Sequence, residues 1–483
     1  MKKITLIICL TVSVLFFENC ARNPVTGKSQ VVLMSEAQEI AMGKEADPQI
    51  IAQFGLYQDK ALQDFITQKG KQLAAVSHRP NLAYEFKIVD SDVLNAFAVP
   101  GGYVYFTRGI MAHFNNEAQF AGVLGHETGH ITARHSVAQQ RNALLGQLGI
   151  IAGVVINPQL AQFAQTASQG LGLLFLKFGR DAERQADQLG VEYSSKIGYD
   201  AKEMADFFLT LERKGAESGA AALPEFLSTH PDPGNRYVTV KKLATEWKNK
   251  VNLPDTTVNR NSYLQRIEGL VYGEDPRQGY LENSVFYHPE LKFQFPVPQG
   301  WNYQNTPQQV QLAPKDGKAL LMLTLAPGKS LQEASNAVIQ QNNLQLLDSK
   351  QLTVNGLPAI AMVAAPIAQQ GQQPQDIRIL SYLIQYGNAI YHFLGVSSTT
   401  DFNQYTSYFS RTMEGFRQLT DQAKLNKKPE RIHIKTINSN STLEQAFRNL
   451  SVSAKRFEEL AILNGMKLTD RVTVGMKIKT LGL

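Results

Sequence analysis

The stretch His126-Glu127-Thr128-Gly129-His130 decides the fold and the chemistry of this chain. Apolar residues before and after it recur at helical spacing, which predicts a buried helix rather than a loop. Residues four apart project from one face of a helix, so the two imidazoles can hold one metal ion together. Glu127 lies roughly 100° around the helix, close to that ion without binding it. This arrangement is typical of zinc hydrolases, in which the carboxylate takes a proton from metal-bound water.

The pentad alone leaves an alternative open, since two core histidines with ordinary hydrogen bonds would give the same short pattern. A second helical stretch carries Glu183 and Asp187 four residues apart, beside buried alanines. A carboxylate suits the third ligand position of catalytic zinc, which favours Glu183. Asp187 would then accept a hydrogen bond from a ligand histidine and fix its tautomer. The alternative for these acids is a solvated helix face.

A third candidate is His230, which lies in the proline-stiffened stretch from Ser228 to Arg236. A lone histidine usually has no special role. Here it can stabilise an oxyanion, as Arg236 also can, or it can occupy the open position of zinc and hold the site inactive. The sequence leaves these roles open.

Residues 84–89 alternate as a strand does, and after a turn residues 96–107 are predicted to form a β-hairpin around Pro100-Gly101-Gly102. A strand edge just before a zinc helix can pair with an extended peptide through backbone hydrogen bonds, independently of the peptide's sequence. The alternative of equal weight is a strand that merely completes the core.

The composition is that of an ordinary globular protein, with 43% hydrophobic and 19% charged residues in 483. The length allows two to four domains. A net charge of +6 is mild for this length, and no basic run carries interleaved aromatic residues. Nucleic acid is therefore excluded as the expected partner.

The N-terminus has the pattern of a secretory signal: Lys2-Lys3, an apolar run from Ile4 to Phe17, and then Cys20. The run is too short for a comfortable membrane span. A cysteine at this place resembles a bacterial lipoprotein attachment site, although Glu18-Asn19 stand where small residues are usual. We expect a periplasmic protein or a lipoprotein of a Gram-negative bacterium that a lipidated Cys20 anchors to the outer membrane, with the face of that membrane left open. The alternative is a removed signal with an incidental cysteine.

Two apolar patches, 144–156 and 171–178, separate the predicted metal helices. Both fall short of the roughly 18–20 residues that a membrane span requires. Their glycines favour a flexible lid over the cleft, and ordinary core packing is the alternative.

The second half of the chain carries no catalytic constellation. The segment from Phe286 to Phe416 predicts an α+β domain with a mostly antiparallel sheet and a binding role. Strand patterns begin at Phe293, Val310, Leu320, Ile360, Ile379 and Ile390, and helical patterns at Leu331 and Phe402. Residues 431–483 predict the order strand, helix, helix, strand. With Asn440-Ser441-Thr442-Leu443 and Val474-Gly475, this segment resembles a LysM domain, a module associated with peptidoglycan, but lacks the usual Gly-Asp-Thr.

Four ordered motifs together resemble the BepA/LoiP group of bacterial periplasmic zinc peptidases, which are gluzincin-type relatives of HtpX and the CAAX prenyl proteases. The motifs, which fall in residues 23–250, are Asn95-Ala96-Phe97-Ala98 with Pro100-Gly101-Gly102, His126 to His130 with His135, Glu183 to Asp187, and Ser228-Thr229-His230-Pro231. No tetratricopeptide repeat array follows them. The resemblance implies one Zn²⁺ ion held by three ligands, with Glu127 as base. It further implies the following positions: His126, His130 and Glu183 as ligands, Asp187 behind them, and His230 and Arg236 lining the cleft.

The predicted fold class is α+β, with a mainly helical zincin-type metallopeptidase domain and its small sheet, an antiparallel-sheet α+β domain, and a small βααβ LysM-like domain. The segments are 1–19 (signal peptide), 20–34 (lipoprotein tether), 35–250 (zinc metallopeptidase), 251–285 (linker), 286–416 (α+β domain), 417–430 (linker) and 431–483 (LysM-like). The expected function is zinc-dependent degradation of misfolded or unassembled envelope proteins. The alternative is an envelope chaperone, scaffold or peptidoglycan-binding lipoprotein with latent or minor proteolysis.

Overall fold

A computed structural model describes residues 20–27, 29–31, 34–137, 150–151, 154–155, 178–217, 225–230, 235–252, 255–367 and 376–483. The fold contains both helices and sheets, as the sequence predicts. Among the described residues, no helix combines the length and the apolar character needed to cross a membrane. The predicted signal peptide and most of the two apolar patches lie outside the described residues.

The helices of the first half surround the predicted site. They are α1 (Glu36–Phe54), α2 (Lys60–Ala75), α3 (Arg108–His113), α4 (Glu117–Thr132), α5 (Arg180–Lys196), α6 (Lys202–Glu217), α7 (Glu225–Thr229) and α8 (Arg236–Lys250). The later helices are α9 (Arg260–Arg266), α10 (Leu331–Gln341), α11 (Phe402–Glu414), α12 (Gln422–Leu425), α13 (Leu443–Asn449) and α14 (Phe457–Leu463).

The strands form several separate sheets. In the first half they are β1 (Cys20–Arg22), β2 (Ser29–Val31), β3 (Glu85–Val89), β4 (Ala96–Val99), β5 (Tyr103–Thr107), β6 (Ile150–Ile151) and β7 (Val154–Val155). In the middle they are β8 (Val271–Tyr272), β9 (Tyr280–Glu282), β10 (Val285–His288), β11 (Phe293–Pro296), β12 (Asn302–Asn305), β13 (Val310–Ala313) and β14 (Ala319–Leu325). The remaining strands are β15 (Leu344–Val354), β16 (Leu357–Pro366), β17 (Arg378–Tyr386), β18 (Ala389–Ser397), β19 (Arg417–Gln418), β20 (Glu430–Thr436), β21 (Ser441–Thr442), β22 (Arg471–Val472) and β23 (Lys477–Gly482).

The predicted hairpin forms from β4 and β5, which pair antiparallel with Val99 opposite Tyr103. Gly101 and Gly102 have φ values of +86° and +103°, a region in which a side chain would be strained. Strand β3 pairs parallel with the other side of β5, so the sheet order is β3-β5-β4. Strand β4 is therefore an edge strand of this sheet, as the peptide-pairing hypothesis requires.

Helix α4 contains the pentad and is buried along its whole length. Asn116 caps it by accepting a hydrogen bond from the backbone N–H of Gln119. The predicted second helix forms as α5 and carries Glu183 and Asp187 on its buried face.

Glycines allow α4 and α5 to pack backbone against backbone. A Cβ atom on Gly190 would lie 2.9 Å from the carbonyl oxygen of Gly122 and 3.0 Å from the backbone nitrogen of His126. A Cβ atom on Gly125 would likewise lie 3.0 Å from the Gly190 carbonyl oxygen. This close approach brings the carboxylates of α5 within reach of the histidines of α4.

A buried charge cluster fixes the chain just after α4. Glu39, which is 1% exposed, accepts hydrogen bonds from Arg79 at 2.9 Å and from Arg134 at 3.0 Å. Arg79 also donates to the carbonyl of Ile131 in the last turn of α4. Arg134 has a φ of +58°, so the chain turns sharply there. The cluster thus ties the start of α1 to the end of α4.

The middle of the chain contains a seven-stranded antiparallel sheet in the order β12-β13-β14-β18-β17-β16-β15. Helix α10 packs on one face, whereas α11 and the aromatic side chains of β10 and β11 pack on the other. Strand β15 lies at one edge, and most of its residues are exposed. This arrangement agrees with the predicted α+β character of the segment.

The two segments predicted as linkers contain short helices and strands. Residues 251–285 contain α9, whose Tyr263 and Leu264 are fully buried, and β8, which pairs with β20. Residues 417–430 contain α12 and β19, and β19 pairs with β11. The turn residues in these segments separate short elements whose apolar partners lie far away in sequence. Part of the predicted tether, 20–34, also has structure, because β1 and β2 form a short hairpin.

The last segment has the predicted order β20, α13, α14, β23, with β20 and β23 antiparallel. It shares one apolar core with the first half, because Phe447, Leu460 and Ile478 belong to the same buried cluster as Phe114 and Phe207. The terminal module is therefore packed onto the helical half of the protein rather than tethered to it.

The close packing of α4 and α5 is testable with Gly190→Ala. The added methyl group would clash with backbone atoms of α4, which can move away only if the two helices separate. We therefore expect a loss of about 1–3 kcal/mol in unfolding free energy and weaker Zn²⁺ binding. Thermal unfolding and competition with a chelator measure the two effects. Gln188→Ala, at an exposed position of the same helix, is the control, and equal behaviour of the two variants would contradict the packing argument.

The buried charge cluster is testable with Glu39→Gln. Removing this charge leaves buried Arg134 without its carboxylate partner and Arg79 with only the exposed Glu36, which should lower the unfolding free energy by about 3–5 kcal/mol in denaturant titration. Glu36 pairs with Arg79 as well, but its side chain is 64% exposed. Glu36→Gln should therefore cost less than about 1 kcal/mol. A Glu39 variant as stable as the Glu36 variant would refute a central role for this cluster.

Candidate metal centre

Four buried side chains converge between α4, α5 and the end of α7. His126 and His130 come from α4, Glu183 from α5, and His230 from the residue after α7. One nitrogen or oxygen atom from each lies within 4.8 Å of the others, and none of these residues is more than 1% exposed. The structure therefore brings together the three predicted ligands and the predicted fourth residue.

The distances between these atoms are short. His126 Nε2 lies 3.0 Å from His130 Nε2 and 3.3 Å from His230 Nδ1. Glu183 Oε1 lies 3.0 Å from His230 Nδ1 and 3.4 Å from His130 Nε2. Glu183 Oε2 lies 3.5 Å from His126 Nε2.

These atoms fit the donor set of a zinc ion. A tetrahedral site with bonds of roughly 2.0 Å would have donor-to-donor edges of about 3.3 Å. The five separations given above, 3.0–3.5 Å, are close to this value, and all four donors lie within 4.8 Å of one another. Three imidazoles and a carboxylate also match the ligand types that Zn²⁺ takes. The close approach of imidazole nitrogens inside the protein is otherwise hard to account for, because neutral rings cannot all donate to one another.

His126 is held from behind by Asp187, whose Oδ1 lies 3.0 Å from His126 Nδ1. Burial alone would raise the pKa of Asp187, but Arg236 and His126 hold it below its ordinary value. The carboxylate is thus an ionised partner that keeps the His126 proton on Nδ1 and leaves Nε2 free to bind a metal.

Arg236 contacts Asp187, and the oxyanion role that the sequence suggested for it stays a prediction. Its Nε and Nη2 atoms donate to the two oxygens of Asp187 at 3.0 and 2.5 Å, and Nη1 lies 3.5 Å from the carbonyl oxygen of His230. The guanidinium also stacks on Phe208, 3.9 Å from the ring centre. Arg236 is 3% exposed, so its place in the fold is that of a buried clamp on Asp187.

The carboxylate of Glu127 lies beside the four donors. Both of its carboxylate oxygens are buried and without a hydrogen-bond partner among the described residues. Its Oε1 lies 3.6 Å from His230 Nε2. Burial raises the pKa of Glu127 above its ordinary value, against the opposing effect of His230. A carboxyl group with a raised pKa and free oxygens is suited to accept and return a proton.

Burial and neighbouring charges also shift the pKa values of Glu183, His130 and His230. Burial opposes the charge on Glu183, but His230 and His130 hold the pKa of the carboxyl far below its ordinary value. Burial lowers the pKa of His130, which keeps the ring neutral as a metal ligand must be. Glu183 and Glu127 raise the pKa of His230 despite its burial.

Two aromatic rings flank the histidines. Phe226 stacks on His230 with ring centres 4.5 Å apart, and Phe178 stacks on His130 at 3.9 Å. The backbone N–H of Phe226 donates to the carbonyl of Leu94, just before edge strand β4. The segment that carries His230 is thus attached to the chain that leads into this edge.

The sequence analysis assigned no role to His135, which the structure places directly behind His130. The Nδ1 atoms of the two rings are 2.9 Å apart, and His135 Nε2 lies 2.9 Å from Gln185 Oε1. A spacing of five residues does not place two side chains on one helix face. Only the turn at Arg134 makes this contact possible, and no sequence pattern indicates it.

Comparison with known proteins agrees with this geometry. Residues 60–244 match the family description "Peptidase family M48". The chain is 31% identical over 283 residues to the beta-barrel assembly-enhancing protease of Yersinia pestis, covering 56% of this chain and 54% of that protein. It is 29% identical to the protein of the same name from Escherichia coli K12, covering 50% and 52%.

A more distant similarity connects the same region to eukaryotes. The mitochondrial metalloendopeptidase OMA1 of Arabidopsis thaliana is 31% identical over 188 residues, which cover 37% of this chain and 36% of that protein. The chain spans about half the length of the bacterial relatives that it matches. Residues 60–244, which match peptidase family M48, contain the four converging side chains.

Proposed function

We propose that this protein is a zinc-dependent endopeptidase of the bacterial cell envelope that degrades misfolded or unassembled envelope proteins. The observation that carries the proposal is the donor set of His126, His130 and Glu183 beside a buried Glu127 with free oxygens. When bound, zinc supplies Lewis-acid activation of water and of the scissile carbonyl.

Side chains of this protein carry out proton transfer, orient the metal ligands and stabilise the oxyanion. Glu127 accepts the proton of the attacking water and then delivers it to the leaving amine. Asp187 lies 3.0 Å from Nδ1 of His126 and fixes the orientation of this ring, and Arg236 in turn holds Asp187 in place. His230, once it is away from the donor set, carries the proton donor best placed to stabilise the tetrahedral oxyanion.

In the described arrangement His230 would inhibit the enzyme by blocking the open metal position, and we call this block the stop. Zinc in a catalytic site keeps one of four positions open, whereas this donor set offers four protein atoms. His230 therefore occupies the place that water and substrate require, and Phe226 holds it there by stacking. The protein is in this view a latent enzyme, active only after His230 has moved.

The edge position of strand β4 supports the proposal that the substrate is an unfolded protein chain. Among the described residues no strand pairs with the outer side of β4, so its backbone groups are available to an extended chain. Backbone pairing does not depend on the substrate's sequence, which suits the degradation of many unfolded proteins. The names of the bacterial relatives connect those proteins to β-barrel assembly, which favours outer-membrane proteins as substrates here.

Two further assignments complete the proposal. Cys20 after an apolar N-terminal run favours a lipoprotein anchored to the outer membrane and facing the periplasm. The βααβ order of residues 431–483 favours a LysM-like module that contacts peptidoglycan. The second candidate function, an envelope chaperone or scaffold with minor proteolysis, is favoured by the filled donor set.

The role of Glu127 is tested with Glu127→Gln. Glutamine keeps the shape of the side chain but cannot accept the proton, so zinc should remain bound while casein cleavage falls by at least about 10²-fold. Metal content by mass spectrometry and cleavage of labelled casein give the two readouts. A zinc-loaded variant with full proteolytic activity would refute the endopeptidase mechanism.

The stop is tested with His230→Ala. Three ligands remain, and a position opens for water, so basal proteolysis of casein should rise about tenfold or more while zinc stays bound. The double variant with Glu127→Gln is the control and should be inactive. A single variant that binds zinc yet stays as inert as the double variant would favour the scaffold function over the latent enzyme.

A further inference from the structure

The two predicted ligand histidines of α4, His126 and His130, each have a second side chain next to Nδ1, and the chemical type of this partner differs between them. His126 faces the ionised carboxylate of Asp187. His130 instead faces a second imidazole, His135, which in turn contacts the side-chain amide of Gln185. His135 is only 8% exposed, and Gln185 lies on α5 between Glu183 and Asp187. Both supports therefore end on the helix that supplies the carboxylate ligand.

The proton arrangement along this second support follows from the ligand role of His130. His130 uses Nε2 toward the other donors, so its single ring proton is on Nδ1. That proton can form a hydrogen bond only if Nδ1 of His135 is an acceptor. A neutral His135 then carries its own proton on Nε2, where it is donated to Gln185 Oε1 at 2.9 Å.

We propose that His135 and Gln185 are positioning residues that fix the tautomer and orientation of His130 for metal binding. This inference rests on the proposed zinc-peptidase function. The glutamine is essential to the arrangement, since its acceptor oxygen selects the one tautomer of His135 that accepts from His130. Neither residue touches the substrate or the reacting atoms, so neither is a catalytic residue.

The local backbone is built to place His135. Arg134, at a φ of +58°, redirects the chain by a sharp turn after α4, and its side chain is held by Glu39 at 3.0 Å and by the carbonyl of Met34 at 2.9 Å. The turn returns the next side chain beneath His130. A left-handed conformation at a residue other than glycine is costly and persists only when its surroundings fix it. The position of His135 is therefore specified by the fold.

Zinc affinity in full-length protein is the primary readout, since it does not depend on proteolysis. We expect His135→Phe, which keeps the ring but removes the acceptor, to raise the zinc dissociation constant by roughly 10–100-fold in chelator competition. Gln185→Leu should raise it in the same direction, and Gln185→Glu, which restores an acceptor oxygen, should return it to within about threefold of the wild type. Gln188→Leu, at an exposed position of the same helix, should leave it unchanged.

Ring tautomers provide a second readout that a purely structural role would not affect. In zinc-loaded wild-type protein labelled with ¹⁵N-histidine, two-bond ¹H–¹⁵N spectra should show a neutral His135 with its proton on Nε2, assigned by its loss in His135→Phe. In Gln185→Leu this preference for Nε2–H should weaken. This measurement on the wild type holds even if a His135 variant fails to fold.

Two results would overturn the inference. One is a wild-type His135 that carries its proton on Nδ1 or on both nitrogens while zinc is bound. The other is a folded Gln185→Leu variant with the same zinc affinity as Gln188→Leu. The proposed peptidase function fails separately, through Glu127→Gln and His230→Ala, because these two variants test proteolysis and leave the His135 contacts in place.

Discussion

The contact between α4 and α5 is the constraint on which the site depends. Glycines on both helices let one backbone lie against the other, so that Gly190 meets the carbonyl of Gly122 and the amide of His126. At an ordinary helix separation of 8–10 Å the short carboxylate side chains of α5 would reach the histidines less closely. The sequence therefore supplies the donors and, through its glycines, the distance between them.

Burying this many polar groups is costly unless each finds a partner. Most of them do: Asp187 is held by Arg236, His130 contacts His135, and the turn after α4 is fixed by the pair Glu39 and Arg134. Both oxygens of Glu127 and Oε2 of Glu183, by contrast, are buried without a hydrogen-bond partner in the described part of the chain. The unpaired carboxylate of Glu127 beside the metal donors is destabilising for the fold, which supports the proton-transfer role proposed for it.

The parts that were predictable from sequence are those with a local pattern. The pentad on a helix, the β4–β5 hairpin and the carboxylates of α5 each depend on periodicity or turn residues within about twenty positions. The features that the sequence did not indicate depend on distant partners. Arg236 clamps Asp187, residues 251–285, predicted as a linker, pack Tyr263 and Leu264 into the core, and the contact of His135 with His130 depends on the left-handed turn at Arg134.

The end of the chain reaches the start of the zinc helix, which gives the terminal module a structural role apart from any ligand. Lys479, fully buried on β23, donates from Nζ to the carbonyls of Ala112 and Phe114 at 2.8 and 3.0 Å. Burial lowers the pKa of Lys479 well below its ordinary value, because burying a charged ammonium group costs free energy. These carbonyls end α3, and Asn116 caps α4 two residues later. Because the zinc helix begins at this junction, the last strand helps to fix the helix that carries both ligand histidines.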